Sequence, residues 1–492
     1  MNRAILRLSL ACLAMFVLLL ININYVQAFE PSSLASDPGN SRALNVQDQY
    51  QRGSIVAAGD GGDVKIAESQ PVKGSTGTYH RVYPFGPEYA PVTGFDSLFS
   101  NTGIEQAENK YLSGTAPSLE VHNLISEITG KPKLGATVNL TISPRAQQAA
   151  YRALKSDGGF QGGVVAINPS TGAILALASN PTFNPNSYTT MNGTQLNKVS
   201  ARNESNPAQP LLNRAIQQTY PPGSTFKIVT SSAAFSTHAV ANPQTTVPAP
   251  TQLPVGSGHV LINDDGESCG NGNPPIIEAF WLSCNTAFGK LGTKVTGAAL
   301  HRFATAYGAN DPHLQIPLPV AESVVPTETD YAFTAYTAIG QYNDAVTPLQ
   351  EAMFASAVAN RGQLMTPYLV QNVQAPDLSV IDSAQPKTFS QPVSPTVAGY
   401  LKQMMVQVTQ NPAGTAFATA NSSIAGVTIA GKTGTAQNGI NNTNLDDAVF
   451  TCFAPANNPK IAVGVIVKGG GFGAAAAAPI AVKVIQAYLK VS

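Results

Sequence analysis

The chain has 492 residues, more than one ordinary domain needs, and only 11 % of them are charged, against roughly 25 % in ordinary soluble domains. Lys and Arg together number 28, as do Asp and Glu, so the net charge is zero and no basic surplus marks a nucleic-acid partner. His80, His122, His238, His259, His301 and His313 are too scattered for a zinc set, and no metal or cofactor is expected.

At the amino end, Arg3 and Arg7 precede an apolar run from Leu8 to Ile21 that only Ser9 interrupts. Continued through Asn22, Asn24 and Gln27, the span reaches about 20 residues, enough to cross a bilayer with the positive flank inside. A cleaved signal peptide is the other reading, because Val26 and Ala28 are small enough for a cleavage site. In either case the positive flank stays inside and the remainder is exported; read as uncleaved, residues 1–28 form the basic flank and signal anchor of a single-pass protein of the cytoplasmic membrane with its bulk outside.

Residues from Phe29 to Gln51 are polar and rich in Ser, Asn and Pro, as in a linker. From Arg52 to Gly135 short apolar runs alternate with glycines, without a catalytic constellation. Residues 29–143 are therefore read as a smaller α+β non-catalytic domain, and residues 144–492 as the catalytic one.

Pro144 to Leu154 predicts a helix with Pro in its first turn. Gly163–Ile167 and Ala173–Ala178 flank Asn168-Pro-Ser-Thr-Gly172 and predict a hairpin. Val427–Lys432, Ala448–Ala454 and Lys460–Lys468 predict three further strands, and Ile480–Leu489 a closing helix. The expected fold is α+β: a five-stranded antiparallel sheet with helices, split by a long helical insertion. The loop Gln437–Asp447, rich in Asn, and the stretch Gly469–Ala474 with the alanines after it both read as flexible.

Inside the insertion, Tyr220-Pro-Pro-Gly-Ser-Thr-Phe-Lys227 places Ser224 and Lys227 three residues apart. That spacing is about one helical turn, so both side chains share a face, and an amine there can take the proton of an otherwise poor nucleophile. Pro221, Pro222 and Gly223 favour a turn, so a helix opens at or just before Ser224 and its dipole favours a developing oxyanion. Ser283-Cys284-Asn285 follows 59 residues later, and Lys432-Thr433-Gly434 a further 149. Taken singly, the three segments also fit a solvated helical lysine, a Ser/Asn helix cap and a strand end.

The three motifs in this order resemble those of penicillin-binding proteins and serine β-lactamases. Gly431–Gln437, Leu211-Leu-Asn-Arg-Ala215, Arg52-Gly-Ser-Ile55, Gly103-Ile-Glu105 and Leu112-Ser-Gly114 extend the resemblance over nearly the whole chain. They point to class B, monofunctional D,D-transpeptidases, and within them to the actinobacterial penicillin-binding protein A group; the resemblance implies the transpeptidase-like fold, in which an all-helical lobe stands beside the antiparallel sheet. The resemblance implies that Ser224 is acylated by a D-Ala-D-Ala stem peptide of peptidoglycan, with release of D-Ala and transfer to an acceptor amine. Lys227 is then the general base, kept neutral by burial and by Lys432. Ser283 shuttles a proton, and Asn285 pairs with substrate peptide groups. Lys432, Thr433 and Thr435 face the substrate carboxylate, Gly434 leaves room for substrate, and the backbone N–H groups of Ser224 and Thr435 form the oxyanion hole. β-Lactams are expected to acylate Ser224. Implied partners are a SEDS-type glycan polymerase and divisome proteins, because no glycosyltransferase domain is visible. A D,D-carboxypeptidase or β-lactamase, or a non-catalytic β-lactam-binding scaffold or sensor, are the alternatives.

Export gives the four cysteines a meaning. Cys12 and Cys452 are read as unpaired. Cys269 and Cys284 are 15 residues apart, and either bridge or leave Cys284 as a buried thiol.

Overall fold

The computed structural model describes residues 3–29, 51–59, 62–74, 78–129, 133–156, 159–256, 258–264, 266, 268–421, 423–437 and 444–490. The expected linker falls almost wholly on residues 30–50, and most of the Asn-rich loop on residues 438–443, so both lie outside the described residues.

The first helix, Arg3–Phe29, carries the apolar stretch Ile5–Tyr25, none of which is buried against the rest of the chain. Two of its polar side chains bond back to their own helix: Ser9 Oγ donates to Ile5 O and Asn24 Nδ2 to Leu20 O. Such back-bonding lets a polar group sit in an apolar segment without an orphaned donor.

The amino-terminal sheet contains β1 (Ile55–Ala57), β2 (Val64–Pro71), β3 (Tyr79–Val82) and β4 (Thr137–Leu140). β1 runs antiparallel to β2 and parallel to β4, and β2–β3 is antiparallel. The parallel pair requires a long crossover, which the short helices between Ala90 and Ile128 provide. Beneath it, Glu105 is fully buried and held by two arginines, with Arg52 Nε 2.6 Å from Oε2 and Arg81 Nε 2.6 Å from Oε1. Burial alone would raise the Glu105 pKa, but Arg81 and Arg52 together hold it below the ordinary value. The segments Arg52-Gly53 and Gly103-Ile-Glu105 thus have a structural role: Arg52 and Glu105 pair, and a Cβ on Gly53 would lie 1.9 Å from Ala136 O.

The second sheet is built from β5 (Gly162–Ile167) and β6 (Ile174–Asn180), then, after the insertion, from the last three strands of the chain. The insertion holds the helices Lys227–Ser236, Ile276–Trp281, Asn285–Val295, Gly297–Ala306 and Tyr331–Thr337. It also holds a hairpin, β7 (Gln252–Gly256) and β8 (His259–Ile262), so this lobe is not all-helical as expected. Leu253, Val255 and Leu261 face inward with exposed neighbours between them, a one-sided alternation too short to stand out in the sequence. After the buried helix Pro348–Ala359, β9 (Leu364–Met365) pairs with β12 (Thr388–Ser390). Between them, β10 (Val370–Gln374) and β11 (Val380–Ser383) return to the amino-terminal sheet, where β10 pairs with β4. That sheet therefore has six strands in the order β11-β10-β4-β1-β2-β3.

The helix Pro395–Gln410 leads to β13 (Ala430–Ala436), β14 (Asp447–Ala454) and β15 (Ile461–Val467). The resulting five-stranded sheet, β13-β14-β15-β5-β6, is antiparallel throughout, as expected. β13 starts later than the expected Val427 and continues through the Lys-Thr-Gly segment to Ala436, because Thr433 to Ala436 pair with Phe450 to Asp447. Val427 instead closes a turn, its N–H donating to Ile424 O. The closing helix is Gly473–Leu489, so the alanine-rich stretch read as flexible is helical. Its small side chains allow close approach: Ala477, Ala478 and Ala481 are fully buried, and a Cβ on Gly473 would lie 2.4 Å from Gly434 O.

Candidate active site

Three segments meet at β13, the outermost strand of its sheet. The first is the tight turn Gly223–Phe226, a 3₁₀ segment that feeds the helix Lys227–Ser236. Backbone bonds fix its approach: Tyr220 N–H donates to Val346 O at 2.9 Å, and Gly223 N–H to Gly340 O at 2.9 Å. Gly223 has φ +56°, and a Cβ there would lie 2.8 Å from Thr435 O, so the turn can rest on the strand only with glycine at this position. In a 3₁₀ turn residues three apart eclipse, which stacks Lys227 over Ser224 more closely than an α-helix would.

Lys227 is fully buried. Its Nζ lies 2.6 Å from Ser283 O, 2.7 Å from Asn285 Oδ1, 2.8 Å from Ser224 Oγ and 3.2 Å from Ser283 Oγ. The two carbonyl-type oxygens can only accept, so they take two N–H bonds. The orientation of the Asn285 amide is set from its far side, where Nδ2 donates to Asp264 Oδ1 at 2.8 Å and to Ile262 O at 3.3 Å. A neutral amine has two N–H groups and one lone pair, so in that state the lone pair is left for a hydroxyl, with Ser224 Oγ the nearer. Burial, and then the Lys432 ammonium, pull the Lys227 pKa well below the ordinary lysine value, while Asp264 opposes them.

The second segment is the corner between Ile276–Trp281 and Asn285–Val295. Ser283 sits there at φ +61°, a left-handed conformation that costs a serine about 1–3 kcal/mol. The corner is held by Cys284 N–H donating to Ala279 O at 2.8 Å and by a disulfide from Cys284 to Cys269. Cys12 and Cys452 are free.

The third segment is β13. Lys432 is buried, its Nζ donating to Ser283 Oγ and to Thr433 O, each at 2.9 Å, and lying 5.6 Å from the centre of the Phe280 ring. Burial lowers its pKa from 10.5 to about 7, with Asp264 opposing. Gly434 faces the turn Gly223–Phe226, where a Cβ would lie 2.7 Å from Pro222 O. Thr433 is buried and its hydroxyl is 2.7 Å from that of Thr415, whereas Thr435 is half-buried at the strand edge.

Ser224, Lys227, Ser283, Asn285 and Lys432 are thus linked by direct contacts, and Thr433, Gly434 and Thr435 line the same strand. Three further residues belong to the setting. Asp264, after β8, orients Asn285; Thr415 pairs with Thr433; Glu351, on Pro348–Ala359, lies behind Thr225 with Oε1 2.7 Å from Thr225 Oγ1. Among the described residues no cluster of three or more His, Cys, Asp or Glu side chains is arranged to hold a metal.

This arrangement has counterparts among known proteins. Residues 162–486 match the penicillin binding protein transpeptidase domain, and residues 52–138 the penicillin binding protein A dimerisation domain. The peptidoglycan D,D-transpeptidase PbpA of Mycolicibacterium smegmatis is 41 % identical over 504 residues, covering 100 % of this chain and 99 % of the relative. The PbpA of Mycobacterium tuberculosis H37Rv is 41 % identical over 501 residues, with 100 % and 99 % covered. Among solved structures, the ceftriaxone acyl-enzyme complex of M. tuberculosis penicillin-binding protein A superposes with a TM-score of 0.85 at 40 % identity, over 91 % of this chain and 100 % of that one. The D,D-transpeptidase domain of a peptidoglycan glycosyltransferase from Eggerthella lenta gives 0.76 at 32 %, over 90 % and 99 %.

Proposed function

Since the chain belongs to the penicillin-binding protein transpeptidases, we propose that it cross-links peptidoglycan as a D,D-transpeptidase with Ser224 as nucleophile. The observation that carries this reading is the 2.8 Å contact between Ser224 Oγ and the buried amine of Lys227. Ser224 Oγ attacks the carbonyl carbon of the D-Ala-D-Ala peptide bond while its proton passes to Lys227 Nζ. The tetrahedral oxyanion is received by the N–H groups of Ser224 and Thr435. As the C–N bond breaks, the leaving nitrogen takes a proton through Ser283 Oγ, which lies within reach of both lysines. D-Ala departs and an ester remains on Ser224. An acceptor amine attacks this ester, Lys227 takes the proton of the amine, and the Ser224 C–O bond breaks as Oγ is reprotonated.

Lys432, Thr433 and Thr435 receive the terminal carboxylate, the ammonium supplying a charge-assisted bond. Gly434 keeps the strand edge clear for substrate. Asn285 Nδ2 is turned to Asp264, so a substrate carbonyl at this amide has to share or displace that carboxylate. β-Lactams acylate Ser224 because they present a carbonyl and a carboxylate like those of the D-Ala-D-Ala end.

We propose residues 1–28 as the anchor, residues 29–143 as the non-catalytic domain, whose sheet β10 and β11 complete from further along the chain, and residues 144–492 as the catalytic domain, with the apolar helix Arg3–Phe29 as the single anchor that leaves it outside the cytoplasmic membrane. A SEDS-type glycan polymerase and divisome proteins are its proposed partners. Labelling with fluorescent penicillin tests the centre of this reading: the wild-type protein is labelled, and Ser224→Ala is not. Persistent labelling of the variant would move the nucleophile elsewhere.

A further inference from the structure

Glu351 is a carboxylic acid without a counter-ion at the back of the nucleophile turn. It is fully buried in the first turn of Pro348–Ala359, and no salt bridge reaches it among the described residues. Its backbone carbonyl accepts a bond from Thr451 Oγ1 on β14, and its Cβ lies where a side chain on Gly464 of β15 would intrude. The helix is therefore seated on the sheet at this residue, and the side chain can only point towards the turn. There Oε1 lies 2.7 Å from Thr225 Oγ1, while Oε2 is buried without a partner.

The protons follow from the contacts. Thr225 Oγ1 also lies 2.8 Å from Pro222 O. A hydroxyl has one proton to donate, and a backbone carbonyl can only accept, so the Thr225 proton goes to Pro222 O. The remaining contact is a hydrogen bond only if Glu351 donates it, which requires a protonated carboxyl. Burial works in the same direction, pushing its pKa from 4.5 up to about 8. Pro222 O in turn rests against Gly434, and Thr225 Cγ2 lies close to the same glycine.

We propose that Glu351 is a positioning residue, a neutral acid whose O–H, relayed through Thr225 to Pro222 O, presses the turn carrying Ser224 onto β13 and so sets the Ser224 N–H against that of Thr435. It touches neither substrate nor the reacting atoms. The proposal rests on Ser224 being the nucleophile, so the Ser224→Ala labelling result is obtained first; its failure would reassign the nucleophile and says nothing of Glu351.

The test measures the acylation rate constant with fluorescent penicillin, together with the thermal midpoint, in the full chain. Glu351→Leu removes the donor and also the unpartnered Oε2, so it is expected to melt no lower than the wild type while acylating about tenfold or more slowly. Glu351→Gln restores a donor to Thr225 and is expected to stay within about threefold of the wild type. Thr225→Val breaks the same relay, so Glu351→Leu should add nothing to it in the double variant. Wild-type acylation by Glu351→Leu, or losses that multiply in the double variant, would overturn the proposal. If Glu351→Leu does not fold, Thr225 decides alone: Thr225→Ser should keep the rate and Thr225→Val lose it, and equal rates in the two would overturn the assignment.

Discussion

Ser283 Oγ is bonded on one side to Lys432 Nζ at 2.9 Å and reaches Lys227 Nζ on the other at 3.2 Å, so a single hydroxyl bridges the two buried amines. Ser283→Ala removes that bridge but keeps the backbone carbonyl that holds Lys227. Acylation by fluorescent penicillin is expected to fall by about 10²–10⁴-fold, the usual worth of a positioned proton carrier. Ser283→Gly should lose as much while relieving the positive φ, so its melting midpoint should not fall below that of Ser283→Ala. An acylation rate unchanged in both would remove Ser283 from the proton path.

The two lysines predict an unusual stability profile. Lys432 is held at about 7 in the folded state, against 10.5 ordinarily. Between those values the unfolded chain binds the extra proton, so folding stability rises with pH across that window, by at most about 1.4 kcal/mol per pH unit for one group. Lys227 acts in the same direction. Glu351 acts oppositely and lower: raised from 4.5 to about 8, it contributes stability that is complete below pH 4.5 and lost as pH rises towards 8. Thermal midpoints from pH 8 to 10 should therefore climb in the wild type and climb less in Lys432→Met. The same variant removes a cation that depresses Lys227, so the acid limb of its acylation profile should move to higher pH. Coincident limbs would show that Lys432 does not tune the base.

Gly223→Ala forces a Cβ to within 2.8 Å of Thr435 O at a positive φ. The turn must lift off β13, which separates the Ser224 and Thr435 N–H groups proposed as oxyanion donors. Loss of one such donor costs about 10²–10³ in rate, and the variant should acylate correspondingly slowly while remaining folded by circular dichroism. Full activity would mean that the turn does not bear on the strand.

The Cys269–Cys284 disulfide closes a loop with a sequence separation of 15 next to Ser283. The double replacement Cys269→Ala, Cys284→Ala should lower unfolding stability in urea by about 3 kcal/mol, through the greater freedom of the unfolded chain. An unchanged midpoint would show that the bridge does not constrain the unfolded chain.

Glu105→Gln takes the charge from between Arg52 and Arg81 and leaves two buried guanidiniums facing each other. Breaking a buried ion pair in this way costs about 3–5 kcal/mol. Limited proteolysis should then cut between residues 52 and 143 sooner than in the wild type, while Ser224 is still labelled. Resistance equal to that of the wild type would show that the pair is not what holds this sheet.

Several of these parts are legible in the sequence because local rules suffice for them. Ser143 Oγ accepts from Ala146 N–H and Pro144 opens the helix, so its start is written in its first residues. β5, β6, β14 and β15 are near-continuous apolar runs separated by turn residues. β13 is different: Gly431 to Gly434 has little strand propensity, and cross-strand pairing with β14 decides its length. The alanines before Ile480 read as low complexity because their role, close approach to the sheet, exists only in three dimensions. Asp264 belongs to no motif and follows a hairpin whose alternation spans a few residues. Glu351 did leave a signal, a lone acid among Leu349, Ala352, Met353 and Phe354, but nothing in the sequence says which hydroxyl it meets.

The strand pair Val370–Ser383 has a consequence for how the molecule is made. β4 is flanked by β1 on one side and by β10 on the other, and β10 comes from more than two hundred residues further along the chain. The amino-terminal sheet cannot gain its last two strands until Ser383 has been synthesised, when most of residues 144–492 has already been made. The four strands β1 to β4 can pair earlier, but their sheet stays two strands short until then. Pairing over so long a sequence separation is a slow step, and until it is made the β4 edge lacks its second partner and is open to wrong pairing.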